Sequence, residues 1–408
     1  PSVITGRDTR ESGPEIESAV HAGLRAGGAK AVSAGVITTP GIAFLTAEDG
    51  FGAGVVISAS HNPFEDNGVK IFVPDGKKLD RESEEFIERL ISEGEDIGKM
   101  TDEFDDSGAG ALQSRYLQHF SSDFGLLDLS ELSIVADCAN GAASRLAPLL
   151  FRKFGADIET ISAEPDGKNI NRDCGSMHLE HLCLKVLETG ADVGIAFDGD
   201  ADRALFVDEQ GSIVDGDGIL WIMANSLIER ETLVGSKVVA TVMSNVGLEI
   251  ALSSIGVELD RTDVGDKYVL DELIRSGASI GGEQSGHIIF PNRSLVGDGM
   301  QTALYVLDTM VTTGKKLSEL TEGFKSLPQV LVNVRVSEKV PFEDLESVSR
   351  LAADIEDELS GSGRLLLRYS GTENLARVMI EGKDQEEIEE LADRLADAIG
   401  EEIGAEAR

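Results

Sequence analysis

Asp198-Gly199-Asp200-Ala201-Asp202 sets three carboxylates at alternate positions with only small residues between them. Such a set can turn its oxygens onto one hard divalent cation of the magnesium type, which takes oxygen ligands. Two other readings compete with this one. A solvated acidic turn fits a chain this acidic. A helix–loop–helix calcium loop would use Asp198, Asp200 and Asp202 as first ligands and Glu209 at its twelfth position, but Arg203 stands where that loop needs glycine and the flanks read as strands.

Ser58-Ala59-Ser60-His61-Asn62-Pro63 offers a second kind of chemistry. Ser60, at a strand end and stiffened by Pro63, is a candidate nucleophile. A free hydroxyl is a poor nucleophile, so it needs a base or a metal beside it. His61 is adjacent, although neighbours in extended chain point to opposite faces. Lys70 can supply positive charge or act as an acid/base. By themselves these residues also fit an ordinary turn and a surface lysine.

Two further loops are dense in hydrogen-bonding groups. Glu283-Gln284-Ser285-Gly286-His287 suits the many hydroxyls of a polyol, with a plain polar loop as the alternative. Arg368-Tyr369-Ser370-Gly371-Thr372-Glu373-Asn374 joins two apolar runs; Arg368, the hydroxyls of Ser370 and Thr372 and the amides around Gly371 can cradle a phosphate, and Arg377 can add a second guanidinium. A long hairpin turn is the alternative. The chain has no Gly-x-x-x-x-Gly-Lys-Ser/Thr loop and no dinucleotide fingerprint.

The elements that must position these loops follow one theme. Gly54 to Ile57, Val193 to Phe197 and Ser279 to Gly282 are short, apolar or glycine-rich runs, each ending in one of the polar loops. Runs of this kind predict buried strands of α/β sheets, where ligands gather at strand ends. Helices are expected over Pro14 to Ala26, with Ser12 as cap, over residues near Ala111 to Asp123, over Ala142 to Phe154 and over Lys383 to Ile399. Asp102 to Gly110 reads as a linker, Asp215 to Gly218 as a second break, and Leu327-Pro328 as the start of a C-terminal unit that opens on a strand at Val330 to Val336.

Composition narrows the class. A chain of 408 residues, 41% hydrophobic, holds several ordinary cores. Lys and Arg number 36 against 74 Asp and Glu, a net charge of −38. That field repels nucleic acid and makes any phosphate site a basic island in an acidic shell. With 15 Lys to 21 Arg, the balance favours a cytoplasm of very high salt. Cys138, Cys174 and Cys183 are an odd, sparse set that fits a reducing compartment. No apolar run reaches membrane-spanning length.

In this order, and over nearly the whole chain, the four loops resemble those of the α-D-phosphohexomutase superfamily. The resemblance implies an α/β fold of three related α/β domains with mixed sheets and a smaller α+β C-terminal domain around a central cleft. The domains are expected at 1–110, 111–212, 213–327 and 328–408. It implies a phosphoserine at Ser60, one Mg²⁺ per chain held by Ser60, Asp198, Asp200 and Asp202, and a sugar 1,6-bisphosphate as intermediate and activator. Glu283, Ser285 and His287 would bind the sugar, and Arg368, Ser370, Gly371, Thr372 and Arg377 its phosphate. Lys70, His61 and Arg203 would assist the transfer, and Lys267 would bind substrate and stand second to Lys70 in assisting proton movement.

Asp66-Asn67-Gly68, Asp137-Cys138-Ala139-Asn140-Gly141-Ala142, Pro165-Asp166-Gly167-Lys168-Asn169-Ile170-Asn171 and Cys174-Gly175-Ser176 are similar to the phosphoglucosamine mutases within it. Met177 and Leu179, around His178, and Asn374 depart from the usual pattern. The implied activity is exchange between hexose 6-phosphate and 1-phosphate, with glucosamine favoured over glucose or mannose, and with a phosphatase or a non-catalytic binder as further alternatives. The implied protein is cytoplasmic, a monomer or homodimer, and acts on small hexose phosphates without nucleic acid or membrane. The resemblance also places a strand and a glycine-arginine loop, with an active-site basic residue, ahead of Gly6-Arg7-Asp8-Thr9-Arg10, so the native chain is expected to extend upstream of Pro1 and this form to be less active.

Overall fold

A computed structural model describes residues 1–94, 105–359, 361–370 and 374–403. The strands β1 (Ser2–Arg7), β2 (Lys30–Val36), β3 (Ala53–Ile57) and β4 (Val69–Phe72) form a sheet in the order β2-β1-β3-β4. The first three are parallel and β4 runs antiparallel to β3. The strands β5 (Ser133–Asp137), β6 (Asp157–Ile161), β7 (Val193–Phe197), β8 (Ala204–Asp208) and β9 (Ile213–Val214) repeat the plan as β6-β5-β7-β8-β9, with the turn to antiparallel again after the third strand. The strands β10 (Lys237–Thr241), β11 (Glu258–Thr262), β12 (Gly281–Gly282) and β13 (Ile288–Ile289) repeat it once more as β11-β10-β12-β13.

The remaining sheet is different. The strands β14 (Gln329–Arg335), β15 (Arg364–Tyr369) and β16 (Leu375–Glu381) are all antiparallel, in the order β14-β16-β15. The helices Glu346–Leu359 and Gln385–Ile403 share its core, placing Val348, Ile355, Ile388, Leu391, Leu395 and Ile399 against Val334, Val378 and Ile380. Three α/β units of one design and one α+β unit are the expected fold class. By contact, residues Pro1–Ser244 and Ile255–Glu322 gather into one compact unit, and Asn245–Ser254 with the chain from Gly323 into a second.

The shared plan places the chemistry. In each α/β sheet the third strand runs directly into a polar loop that returns as the antiparallel fourth: Ile57 into Ser58, Phe197 into Asp198, Gly282 into Glu283. In β7 all five residues are buried, which explains the uninterrupted apolar run that marked it. One residue of each loop turns left-handed, Ser60 at φ 50°, Ala201 at φ 55° and Gly286 at φ 89°.

Some expectations shift at element ends. Helix Gly13–Ala26 has no side-chain cap from Ser12, whose hydroxyl instead accepts from Asn67 Nδ2 at 2.8 Å. Asp215 caps helix Gly216–Glu229 by accepting from the Gly218 N–H at 3.1 Å, so the Asp-Gly-Asp-Gly break is a helix start. Helix Ala109–Asp123 begins inside the stretch read as linker, of which residues 102–104 lie outside the described residues. That helix bonds to the edge strand of the first sheet and to the cap of helix Gly299–Thr313 in the third α/β unit. Gln113 donates to the carbonyls of Ala34 and Val36, and the Tyr116 hydroxyl donates to Asp298 Oδ2 at 2.8 Å. Among the described residues no helix is long and apolar enough to cross a membrane.

Candidate active site

The three aspartates converge. Asp198, Asp200 and Asp202 are buried, and one carboxylate oxygen from each lies within 4.8 Å of the others. Asp200 Oδ1 and Asp202 Oδ1 are buried with no hydrogen-bond partner. Buried carboxylate oxygens without donors are costly, and a divalent cation with a taste for oxygen ligands satisfies them. The residues therefore fit a magnesium-type ion. The electrostatics agree. Burial, and then the charges of Asp202 and Asp200, raise Asp198 well above the usual carboxylate range. Burial acts the same way on Asp202, but Lys70, His287, Arg203 and Lys78 outweigh it and hold that carboxyl low. The calcium-loop reading is overturned. The flanks are β7 and β8, and Glu209 turns away to accept from the Ser318 hydroxyl at 2.6 Å.

Ser60 reaches this cluster from the neighbouring sheet. Its hydroxyl donates to Asp198 Oδ2 at 2.5 Å. Its left-handed backbone also swings His61 round, so that Nδ1 comes to 3.4 Å from Ser60 Oγ. The argument from extended chain that the two side chains diverge fails here, because the chain is not extended at Ser60. Burial, and then Arg203, lower His61 below its ordinary value, leaving a neutral ring.

Lys70, on β4 beside the Ser60 loop, donates to Asp200 Oδ2 at 2.6 Å and to Asp202 Oδ2 at 3.3 Å. Burial works against its charge, but the Asp200 and Asp202 carboxylates raise it well above an ordinary lysine, so it holds its proton. The Thr39 hydroxyl also donates to Asp200 Oδ2. Arg203 Nε lies 3.9 Å from Asp202 Oδ1.

The third loop closes over the same aspartates. His287 Nδ1 is 3.8 Å from Asp202 Oδ2, and its Nε2 accepts from the Gly297 N–H at 2.9 Å. Glu283 Oε1 accepts from the Gly265 N–H at 3.2 Å, and Ser285 Oγ lies 3.4 Å from Glu283 Oε2. Both side chains are half-buried, one carboxylate and one hydroxyl presented together. Lys267 is exposed at the start of helix Asp266–Ser276 and lines a small cavity with Lys78, Asp80 and Asp266 rather than joining the aspartate cluster.

In the second compact unit, Arg368 and Arg377 face each other across the β15–β16 ladder. Burial, and then the charge of Arg377, push Arg368 below the ordinary arginine value. Two guanidiniums side by side attract an anion. Ser370 is buried, with its N–H donating to Leu375 O at 2.8 Å and its carbonyl accepting from Lys339 Nζ at 2.6 Å. Gly371 and Thr372 lie outside the described residues.

Residue-by-residue reading of the sequence missed Asp8, Arg10, Thr39 and Asn171, all of which touch Ser60, its loop or Asp200. A signal existed for Arg10. It closes the charged run Arg7-Asp8-Thr9-Arg10 directly after an apolar strand, in a chain poor in cations.

With this geometry in place, the relatives of the chain can be compared. Models of the phosphoglucomutase/phosphomannomutase domains match it in order: alpha/beta/alpha domain I over 1–97, domain II over 114–211, domain III over 215–327 and the C-terminal domain over 331–398. The phosphoglucosamine mutase of Citrifermentans bemidjiense is 46% identical over 100% of this chain and 90% of its own length. That of Geobacillus thermodenitrificans is 48% identical over 100% and 91%. Among solved structures, a phosphoglucomutase/phosphomannomutase family protein from Burkholderia thailandensis superposes with a TM-score of 0.80 at 24% identity, covering 100% of this chain and 90% of the other. The N-acetylphosphoglucosamine mutase of Aspergillus fumigatus, solved with GlcNAc-6P and magnesium, gives 0.63 at 21% identity, covering 95% and 93%. These two likenesses speak for the fold. With four domains matched in order and close to half identity over the full length, the chain belongs to the α-D-phosphohexomutase superfamily, in the family of the phosphoglucosamine mutases.

Proposed function

We propose that the enzyme interconverts glucosamine 6-phosphate and glucosamine 1-phosphate through a phosphorylated Ser60. The observation that carries the proposal is the Ser60 hydroxyl, set 2.5 Å from Asp198 at the edge of a buried three-carboxylate cluster. A hydroxyl there has an acceptor for its proton and a place beside it for a cation, the two aids a serine needs to exchange a phosphoryl group. A Mg²⁺ held by Asp198, Asp200 and Asp202 would supply Lewis-acid stabilisation of charge on the transferring group.

The chain's own groups account for the rest. Phosphorylated Ser60 is the resting form. Arg368, Ser370, Thr372 and Arg377 would hold the phosphate that the sugar already carries. Glu283, Ser285 and His287 would hold the ring hydroxyls, and their mix of acceptor and donors suits a sugar bound in either orientation. The free sugar hydroxyl attacks phospho-Ser60 and gives a 1,6-bisphosphate, which turns over and returns its other phosphate to Ser60. Lys70 keeps its proton beside Asp200, so we assign it a charge-balancing role beside the transferring group, with Arg203 offsetting charge on the phosphoryl oxygens. His61, neutral and with Nδ1 3.4 Å from Ser60 Oγ, can accept a proton there. We place the enzyme in the cytoplasm.

The choice of sugar rests on relatives at 46% to 48% identity, all phosphoglucosamine mutases, which disfavours glucose or mannose. Side-by-side kcat/KM on glucosamine, glucose and mannose phosphates tests it. The amino sugar should lead by at least tenfold; a lead for either neutral sugar would sink the assignment. Phosphate release matching substrate loss would show a phosphatase instead.

A further inference from the structure

Ser60 is a non-glycine residue at φ 50°, a conformation that L-residues adopt at an energetic cost and keep only where the surroundings fix it. The surroundings here are specific. The Ser60 N–H donates to Ser58 Oγ at 3.0 Å. The Ser60 carbonyl accepts from Arg10 Nη2 at 3.0 Å and from Asn171 Nδ2 at 2.8 Å. The same two donors meet again at the Asn62 carbonyl, at 2.9 Å and 3.0 Å. Arg10 Nη1 donates to the carbonyls of Pro63 and Asp66, and Nε to Asp8 Oδ2 at 2.9 Å, so all five guanidinium N–H groups are used.

Asp8 serves both arms. Its Oδ2 also accepts from Ser58 Oγ at 2.6 Å, the hydroxyl that holds the Ser60 N–H. The Asp8 and Arg10 side chains are both 0% exposed. Asn171 comes from the next sheet's unit, and a Cβ on Gly199 of the aspartate loop would stand 2.5 Å from the Ser60 carbonyl and 2.9 Å from Asn171 Nδ2. The serine loop and the aspartate loop are thus referenced to one carbonyl oxygen.

We infer that the buried Asp8–Arg10 pair and Asn171 are positioning residues that lock the left-handed backbone of Ser60 and so aim its hydroxyl at Asp198. They touch no reacting atom. Their effect on transfer rate rests on the mutase reading above, whereas their hold on the loop does not. A buried ion pair kept only for the fold would show in stability alone.

The test uses Arg10→Lys, which keeps the charge opposite Asp8 but has three donors, and Asn171→Gly, which accommodates the φ of 57° at position 171 and removes the amide. Thermal melts establish that each is folded; if Arg10→Lys is not, Asn171→Gly decides alone. Amide hydrogen exchange is followed on a peptide spanning Ser58 to Phe64. Steady-state kinetics use glucosamine 6-phosphate with glucose 1,6-bisphosphate as activator. The inference expects exchange in that peptide to quicken at least tenfold, and kcat to fall at least tenfold with KM within threefold. Unchanged exchange in a folded variant overturns the clamp. Faster exchange with unchanged kcat overturns its part in transfer, as does a rise in KM alone. If the unsubstituted protein takes up no phosphate on Ser60, the mutase reading fails, and the exchange result still decides the clamp.

Discussion

The Ser60 loop and the Asp198–Asp202 loop stand at the same place in successive sheets, each between a buried third strand and its antiparallel neighbour. Both are gripped from outside at their backbone carbonyls, but by different donors. The Ser60 loop is gripped by its backbone carbonyls, from outside, by Arg10 and Asn171. The aspartate loop is held at its carbonyls by backbone N–H groups instead, Ala142 to Gly199 O at 2.8 Å, Thr39 to Asp200 O at 3.0 Å and Gly299 to Ala201 O at 3.0 Å, and leaves two buried carboxylate oxygens without donors. One loop is a satisfied polar network that places a single atom. The other is a charge deficit that a cation relieves. A repeated fold has supplied two frames, and side chains outside the loops decide which job each frame does.

The largest effect should come from breaking the deficit. Asp200→Asn removes a charge that faces Lys70, Thr39 and the cation place. Loss of one such group typically lowers kcat on the order of 10²–10³-fold. Calorimetric titration with Mg²⁺ should show weakened binding in parallel; full activity with unchanged Mg²⁺ affinity would separate the triad from metal.

A smaller effect should come from the contact between the two loops. In Gly199→Ala the new methyl meets the Ser60 carbonyl, Ile170 Cδ1 at 2.8 Å and Asn171 Nδ2. Overpacking of this kind costs about 1–3 kcal/mol. Denaturant melts should show the loss, and kcat should fall with it; a neutral outcome would mean that the loops do not share a reference point.

The smallest effect lies away from both loops. His119 stacks on Phe44 with centroids 4.1 Å apart, and burial pushes its ring down to about 4. A depressed pKa gives stability that is present above the unfolded value near 6.5 and lost as pH falls towards the folded one. Asp298 runs the other way: burial raises it to about 6, so its share is present at low pH and lost as pH rises through 6. Comparing the unsubstituted protein with His119→Phe isolates the histidine. Between pH 7.5 and pH 5 the former should lose about 2 kcal/mol more in urea unfolding. Parallel pH curves would contradict a buried neutral ring.

The contrast between the loops also explains what the sequence made legible. The aspartates were readable because their chemistry is written in their own spacing, and the strands before Ser58 and Asp198 because burial on both faces leaves an apolar run. Glu283 and Ser285 stand together as their density suggested. The supports were harder to read. Arg10 lies 50 residues before Ser60 and reaches it through the pairing of β1 with β3, whereas Asn171 lies 111 after it and comes from the unit of the next sheet. The argument that His61 and Ser60 point apart fails for a local reason, since nothing in Ser-Ala-Ser-His announces that Ser60 is left-handed. Lys267 carried a role from resemblance alone, and its side chain is exposed beside Asp80 rather than at the aspartates. The C-terminal helix runs on to Ile403, one turn past the expected stop at Ile399. That last turn, residues 400–403, is hard to read because Gly400 and the outward acids Glu401 and Glu402 mask the continuing apolar spacing from Ile399 to Ile403.

The central claim is that Ser60 carries the phosphoryl group. Peptide mass spectrometry of the protein incubated with Mg²⁺ and glucose 1,6-bisphosphate tests it directly. The account predicts one phosphate on Ser60, discharged on adding glucosamine 6-phosphate and absent in Ser60→Ala. No phosphate on Ser60 with the metal bound, or phosphate that persists in the alanine variant, would contradict it.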